Sequence, residues 1–285
     1  MDFKKKLNLS FKATLILTTL STILLIFCFK RCFDATEGYF IKSIPPIIFS
    51  IIYILGIVFS LTSIFVFNKN YITKTKNEIG KTQIFYIAIA TALALSVLAC
   101  NLLSDNTFLM YGSIGLGTLI IYIMLSASKS GYNPSSIKII LIYASIIFPA
   151  SMKLYNDTNY VRHINSVENV LTTVFGLSFM MYILYEAKRI HEGVHSRWHF
   201  ATMLLTLHSG ISLSLAYIFA YLTYSVNEPV RFLQMISVLL VSLFVGVELY
   251  RFINEADSKM QEEWDEIEKP EEEIDEEPEQ PTIEE

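Results

Sequence analysis

An all-α, polytopic transmembrane bundle of about eight helices is the fold class this sequence predicts, and three observations carry it. First, eight apolar stretches recur along the 285 residues, at about 13–29, 44–67, 84–103, 108–127, 139–152, 167–185, 200–224 and 232–250. A bilayer core about 30 Å thick needs roughly 20 apolar helical residues to cross it. Backbone polar groups find no water there, so crossing segments have to be helices. Second, AVILMFWYC make up 53% of the chain, and the excess over ordinary proteins sits in these stretches. Third, Lys and Arg are divided unevenly between alternate loops, as the positive-inside rule expects.

The elements follow in order. Met1-Asp2-Phe3-Lys4-Lys5-Lys6 precedes an apolar run from Ala13, as in a signal peptide. That run ends in Phe27-Cys28-Phe29-Lys30-Arg31 and not in a small-x-small cleavage site, so a retained first helix is expected. Cys28, Cys32 and Cys100 are expected as free thiols. A Cys28–Cys32 bridge is the alternative if that end faces an oxidising compartment. The third, fourth and seventh segments carry small residues at four-residue intervals: Ala88, Ala92, Ser96 and Cys100; Ser113 and Gly117; Thr202, Thr206, Gly210 and Ser214. Such stripes let helix backbones approach in lipid, where hydrophobicity cannot drive association. They predict helix–helix interfaces, with the lining of a substrate path as the alternative. Asn101 and Asp105 are expected to cap the end of the third segment. No inverted repeat of the transporter kind is visible.

The fifth segment is the weakest, because Ile139 to Met152 is only 14 residues and contains Pro149. If it failed to cross, every later loop would change sides. Lys138 and Lys153 can lengthen it by reaching the two interfaces, so eight crossings are expected. With a cytoplasmic N-terminus and eight alternating helices, 16 of the 22 Lys and Arg fall inside and 6 outside. Both termini are therefore expected in the cytoplasm.

Residues 1–253 read as the helix bundle and 254–285 as an acidic, largely disordered cytoplasmic tail. From Glu255 onward the tail holds 16 acids and 2 lysines, a net of −14, which leaves +9 on the rest of a chain whose total is −5. Met260, Trp264 and Ile267 keep helical spacing, and Pro270, Pro278 and Pro281 among glutamates predict disorder beyond them. Solubilising the chain is the simple role of the tail. The sharper one is contact with a basic or protein partner, or with the basic loop Lys69–Lys81. Lengths between segments leave no room for a soluble catalytic domain, and no phosphate-binding glycine pattern appears. No cofactor and no nucleic-acid partner are expected; the lipid bilayer is the main partner.

Three polar residues in or at the ends of the apolar segments are the candidate intramembrane site: His208, Glu186 and Glu248. His208 lies about two turns into the seventh segment, where an ionisable group is a functional candidate by default. Its simpler role is a neutral imidazole bonded to a neighbouring hydroxyl or carbonyl. Glu186 precedes Arg189 by three residues and Glu248 precedes Arg251 by three, a spacing that lets each pair meet on its helix. A cross-helix pair of Glu248 with Arg189 is the alternative. Pinned helix ends are the structural reading of these pairs, and a cytoplasmic gate is the functional one.

His191-Glu192-Gly193-Val194-His195 matches HExxH, in which two histidines one helical turn apart share zinc and the glutamate activates water. His199 extends the row, so three imidazoles would line one helix face. Arg189 and Arg197 oppose a cation there, and Gly193 weakens the helix the motif needs. A basic turn at headgroup level is the simpler account of His191, Glu192 and His195.

Asp34…Thr36-Glu37-Gly38-Tyr39-Phe40, taken with Tyr185-Glu186-Ala187-Lys188-Arg189 and the helix count, resembles uncharacterised multi-pass membrane proteins of anaerobic Gram-positive bacteria. That resemblance covers two short stretches and implies the fold alone, because the group supplies no activity. The expectation is an integral membrane protein of the cell membrane, non-enzymatic, acting as a small-solute permease or a membrane sensor or scaffold. Its rival from another class is a metal-dependent membrane hydrolase using His191, Glu192 and His195.

Overall fold

The computed structural model describes residues 3–34, 39–41, 43–66, 71–72, 83–104, 106–127, 136–159, 167–192, 194–224 and 229–255. Nine α-helices lie among them: α1 (Phe3–Cys32), α2 (Ile44–Thr62), α3 (Gln83–Leu103), α4 (Thr107–Ala127), α5 (Ser136–Ala144), α6 (Ile147–Asn159), α7 (Val167–Glu192), α8 (Arg197–Tyr224) and α9 (Pro229–Glu255). They make eight spans long and apolar enough to cross a membrane, because α5 and α6 together form one, Ser136–Asp157. The fold is an all-α bundle; the acidic tail from 256 lies outside the described residues.

Pro149 explains why the fifth span is broken. Proline lacks an N–H, and its ring clashes with the carbonyl four residues back, here that of Ser145. The chain turns at that point. Ile146 N–H reaches back only three residues, to Tyr143 O at 3.1 Å, and Phe148 N–H reaches Ser145 O at 3.1 Å. Pro149 thereby becomes the third residue of α6, where a missing N–H forfeits no intrahelical bond. The whole span is 22 residues and not 14, enough to cross. Lys153, half-buried, pairs with Asp157 at 2.5 Å. Lys138 is buried within electrostatic reach of Glu186 and Arg189.

A short backbone contact fixes relative sidedness. Tyr71–Ile72, beyond α2, pairs antiparallel with Val194–His195, between α7 and α8. Both links therefore lie at one end of the bundle. An even number of crossings must separate them, which holds only if α5–α6 spans. At the other end Phe33–Asp34 pairs with Tyr39–Phe40, and Phe29, Phe33 and Phe40 pack edge to face around that hairpin.

α8 is the central helix. It packs on α1, α2, α7 and α9, and 78% of its apolar window is buried, against 28% to 50% for the other spans. Small side chains allow this. Thr202, Thr206, Ser209, Gly210, Ser212 and Ser214 are all buried, and Ser209 and Ser214 donate back to Leu205 O and Gly210 O. A hydroxyl satisfied within its own helix can be surrounded by protein. Ser196 starts α8: its Oγ accepts the His199 N–H at 3.2 Å, an N-cap bond.

The remaining small-residue stripes differ from expectation. Ala88 is exposed, and the buried face of α3 runs through Tyr86, Ala90, Leu93, Ser96 and Cys100. On α4 a methyl at Gly117 would meet nothing, whereas one at Gly115 would strike the backbone of Ile147 and Phe148. The close approach of α4 is thus to the break in the fifth span, one helical turn being rotated by two residues from the predicted stripe. Asn101 accepts a bond from Ser113 Oγ at 2.8 Å and so joins α3 to α4 and does not cap α3. Asn106 caps α4, accepting the Phe108 N–H at 2.9 Å. Asp105 lies outside the described residues. All three cysteines are free and buried.

Candidate functional site

Glu186 sits six residues before the end of α7, about 9 Å inside it at 1.5 Å per residue. Its carboxylate is fully buried, accepts three hydrogen bonds and has His199 beside it. Oε1 accepts from Tyr122 Oη of α4 and from Arg189 Nη2; Oε2 accepts from Arg189 Nε at 2.8 Å and lies 3.0 Å from His199 Nε2 of α8. Arg189 grips it side-on with two parallel bonds, the strong bidentate arrangement. Tyr182, one turn back on α7, stacks on the His199 ring at 5.7 Å between centroids and 14° between planes. Its hydroxyl is buried without a hydrogen-bond partner among the described residues.

Glu248 of α9 extends the cluster. Tyr86 Oη of α3 donates to Glu248 Oε1 at 2.6 Å and accepts from Arg251 Nη1 at 3.4 Å. The Glu248 carboxylate also acts electrostatically on Arg189 and on Tyr122. Phe244, one turn from Glu248, packs on both tyrosine rings. Six helices, α3, α4, α5, α7, α8 and α9, therefore converge on one buried polar cluster at the end of the bundle that holds the α7–α8 link.

His208 stands apart from it. It lies eleven residues into α8, about 16 Å along the helix and near the middle of a 30 Å core. It faces α1 and α2. Nε2 donates to the Tyr53 carbonyl oxygen at 3.2 Å, and Nδ1 lies 3.0 Å from Thr18 Oγ1. Its ring lies 5.1 Å from that of Tyr53, and a methyl at Gly56 would overlap the imidazole. A carbonyl only accepts, so Nε2 carries the proton and Nδ1 is the acceptor in the neutral ring. The three candidate residues thus form two sites: Glu186 with Glu248, and His208 alone.

The HExxH string does not form a helical row. α7 ends at Glu192, before Gly193, and His195 lies in the short strand paired with Tyr71–Ile72. Glycine in a helix interior costs about 1 kcal/mol relative to Ala, and here the helix stops instead. His191 and Glu192 are exposed, Glu192 lies 3.6 Å from Lys188, and His199 is held by Glu186 in the next helix. The His195 side chain lies outside the described residues. Among the described residues no group of three His, Cys, Asp or Glu is placed to hold a metal.

Tyr86 and Tyr122 are not legible as site residues in the sequence, and His199, expected in the histidine row, lies beside Glu186 instead. A buried carboxylate needs donors, but which of 16 tyrosines supply them depends on pairs 162 and 64 residues apart. No protein-family model, no curated protein and no solved structure matches the chain. Fold and span lengths define a multi-pass integral membrane protein.

Proposed function

We propose that this protein is a small-solute permease of the cell membrane, with both termini in the cytoplasm and the Glu186–Glu248 cluster as its inner gate. One observation carries the reading: an ion pair, Glu186 with Arg189, buried inside a spanning segment and shared among α4, α7 and α8. Ionisable groups within a membrane span are costly, and they mark solute and ion paths. The cluster lies at one end only and closes that end by side-chain bonds that can be broken one at a time. Sidedness follows from the 16 to 6 division of Lys and Arg, which puts the cluster at the cytoplasmic end. A sensor or scaffold role would rest on the acidic tail, which in this reading meets a basic partner or the loop Lys69–Lys81. The hydrolase reading has no helical metal row to rest on.

The test is solute flux into proteoliposomes over a panel of neutral, anionic and cationic small molecules. Wild type should admit at least one class faster than protein-free vesicles. Tyr122→Phe removes one of the three hydrogen bonds to Glu186 and keeps the ring, so it should raise that flux. Absence of flux in both proteins across the panel rejects the permease.

A further inference from the structure

A groove of about 560 Å³ opens between α5 and α7, near the end of the bundle that holds the α7–α8 link. Ligand pockets usually run from roughly 300 to 1,000 Å³, so the space is enough for part of a lipid molecule. Tyr143, Met181 and Leu184 are exposed on its walls, and all three belong to spanning segments, so the groove faces lipid. α7 forms one wall, and its chemistry changes along the axis. Met181 and Leu184 come first, then Tyr185, then Lys188, His191 and Glu192 in the last turns of the helix. At 1.5 Å per residue this wall is about 16 Å long. Ile139 and Tyr143, one turn apart on α5, form the other wall.

The polar end of the groove carries one charge of each sign. Lys188 Nζ lies 3.6 Å from Glu192 Oε2, beyond hydrogen-bond distance, and both side chains are about half exposed. An ammonium has three N–H donors and a carboxylate about four lone pairs, so this loose pair leaves most of the capacity of both groups unused. The His191 ring is exposed at the same level, makes no hydrogen bond among the described residues and presents an N–H in either neutral tautomer. Trp198, exposed at the start of α8, marks this end as headgroup depth, where tryptophan is enriched.

We infer that this groove binds one phospholipid whose headgroup carries both a phosphate and a primary ammonium, as in phosphatidylethanolamine. The phosphate accepts from Lys188 and from the His191 ring, the ammonium donates to Glu192, and one acyl chain lies along Ile139, Met181 and Leu184. Basic pockets between spans at the membrane surface are recurrent headgroup sites. The carboxylate narrows the class further. An anionic headgroup without an ammonium would bring its charge against Glu192, and a choline headgroup has no N–H to give it. The inference is independent of the permease reading. It gives His191 and Glu192 a role that a metal site does not.

The test titrates the purified full-length protein with phosphatidylethanolamine, phosphatidylcholine and phosphatidylglycerol of identical acyl chains and counts bound lipid by native mass spectrometry. Wild type should hold one phosphatidylethanolamine about tenfold more tightly than either of the others, the scale of one charge-assisted hydrogen bond. Glu192→Gln should lose that preference about tenfold and bind phosphatidylglycerol at least as well as wild type does. Retained phosphatidylglycerol binding shows that this variant is folded. Lys188→Gln should weaken all three lipids, because each of them carries the phosphate. Equal binding of the three lipids by wild type would make the groove a place for bulk lipid and overturn the inference. Tightest binding of phosphatidylglycerol would replace the class by an anionic headgroup and overturn it as well. A phosphatidylethanolamine preference that survives both substitutions would place the lipid site elsewhere.

Discussion

Glu186 Oε2 lies 3.0 Å from His199 Nε2, across the turn that joins α7 to α8. This contact and the Arg189 fork surround the buried charge of Glu186, and that has a consequence for stability. Glu186→Gln removes the charge that Arg189 is buried against. Breaking a buried ion pair on one side costs about 3–5 kcal/mol, because the remaining charge is left uncompensated. The double variant Glu186→Gln/Arg189→Gln should be more stable than Glu186→Gln alone. Thermal unfolding in detergent of the four proteins in this cycle measures the coupling; costs that simply add would show that the pair is not coupled.

A second contrast uses two glycines two residues apart on α4. A methyl at Gly115 strikes the backbone where α5 gives way to α6, and backbone cannot rotate aside. Gly115→Ala should therefore destabilise by about 1–3 kcal/mol, the range for overpacking. Gly117→Ala meets open space and should be neutral or gain up to about 1 kcal/mol from helix propensity. Equal melting temperatures for the two variants would remove α4 from the break.

These contrasts mark what sequence can and cannot say here. Hydropathy locates the spans because lipid imposes one length on all of them. The turn at Ser145 follows from Pro149 once the four-residue clash is applied, yet the apolar run alone suggested only a short segment. The Glu186–Arg189 pair was legible because it is local, three residues apart on one helix. Tyr122 and His199 were not, since nothing in the neighbourhood of either residue shows which carboxylate it will meet. The burial of Gly115 rather than Gly117 also escaped. A spacing of four fixes a stripe on a helix, and only the neighbours decide which stripe faces in. The HExxH string was misleading for a local reason, Gly193, that the sequence did contain.

His208 joins α8 to α1 and α2 through Thr18 and the Tyr53 carbonyl. His208→Gln keeps a side-chain N–H near Tyr53 O and a polar atom near Thr18, so it should fold with nearly wild-type stability. His208→Leu should cost roughly 1 kcal/mol, the scale of a buried hydrogen bond within a membrane. Melting temperatures in detergent for the three proteins test this packing role. A Gln variant as stable as wild type that has nevertheless lost solute flux would make the imidazole itself part of the transport path.

Topology supplies the last prediction. With eight crossings, the proposed cytoplasmic N-terminus expects the hairpin outside and the α7–α8 link and the tail inside, in line with the 16 to 6 charge division. With Cys28, Cys32 and Cys100 replaced by Ala, single cysteines report the side of each position. Thr36→Cys should react with a membrane-impermeant maleimide added to intact cells. Glu192→Cys and Asp275→Cys should react only after the membrane is opened. Glu192 is suited to the test because its side chain is 45% exposed, so silence at that position reports the membrane and not burial. Labelling of Asp275→Cys from outside while Glu192→Cys stays protected would mean an odd number of crossings after α7. Labelling of both, with Thr36→Cys protected, would keep the eight spans and invert the molecule, and the Glu186 cluster would then close the outer end.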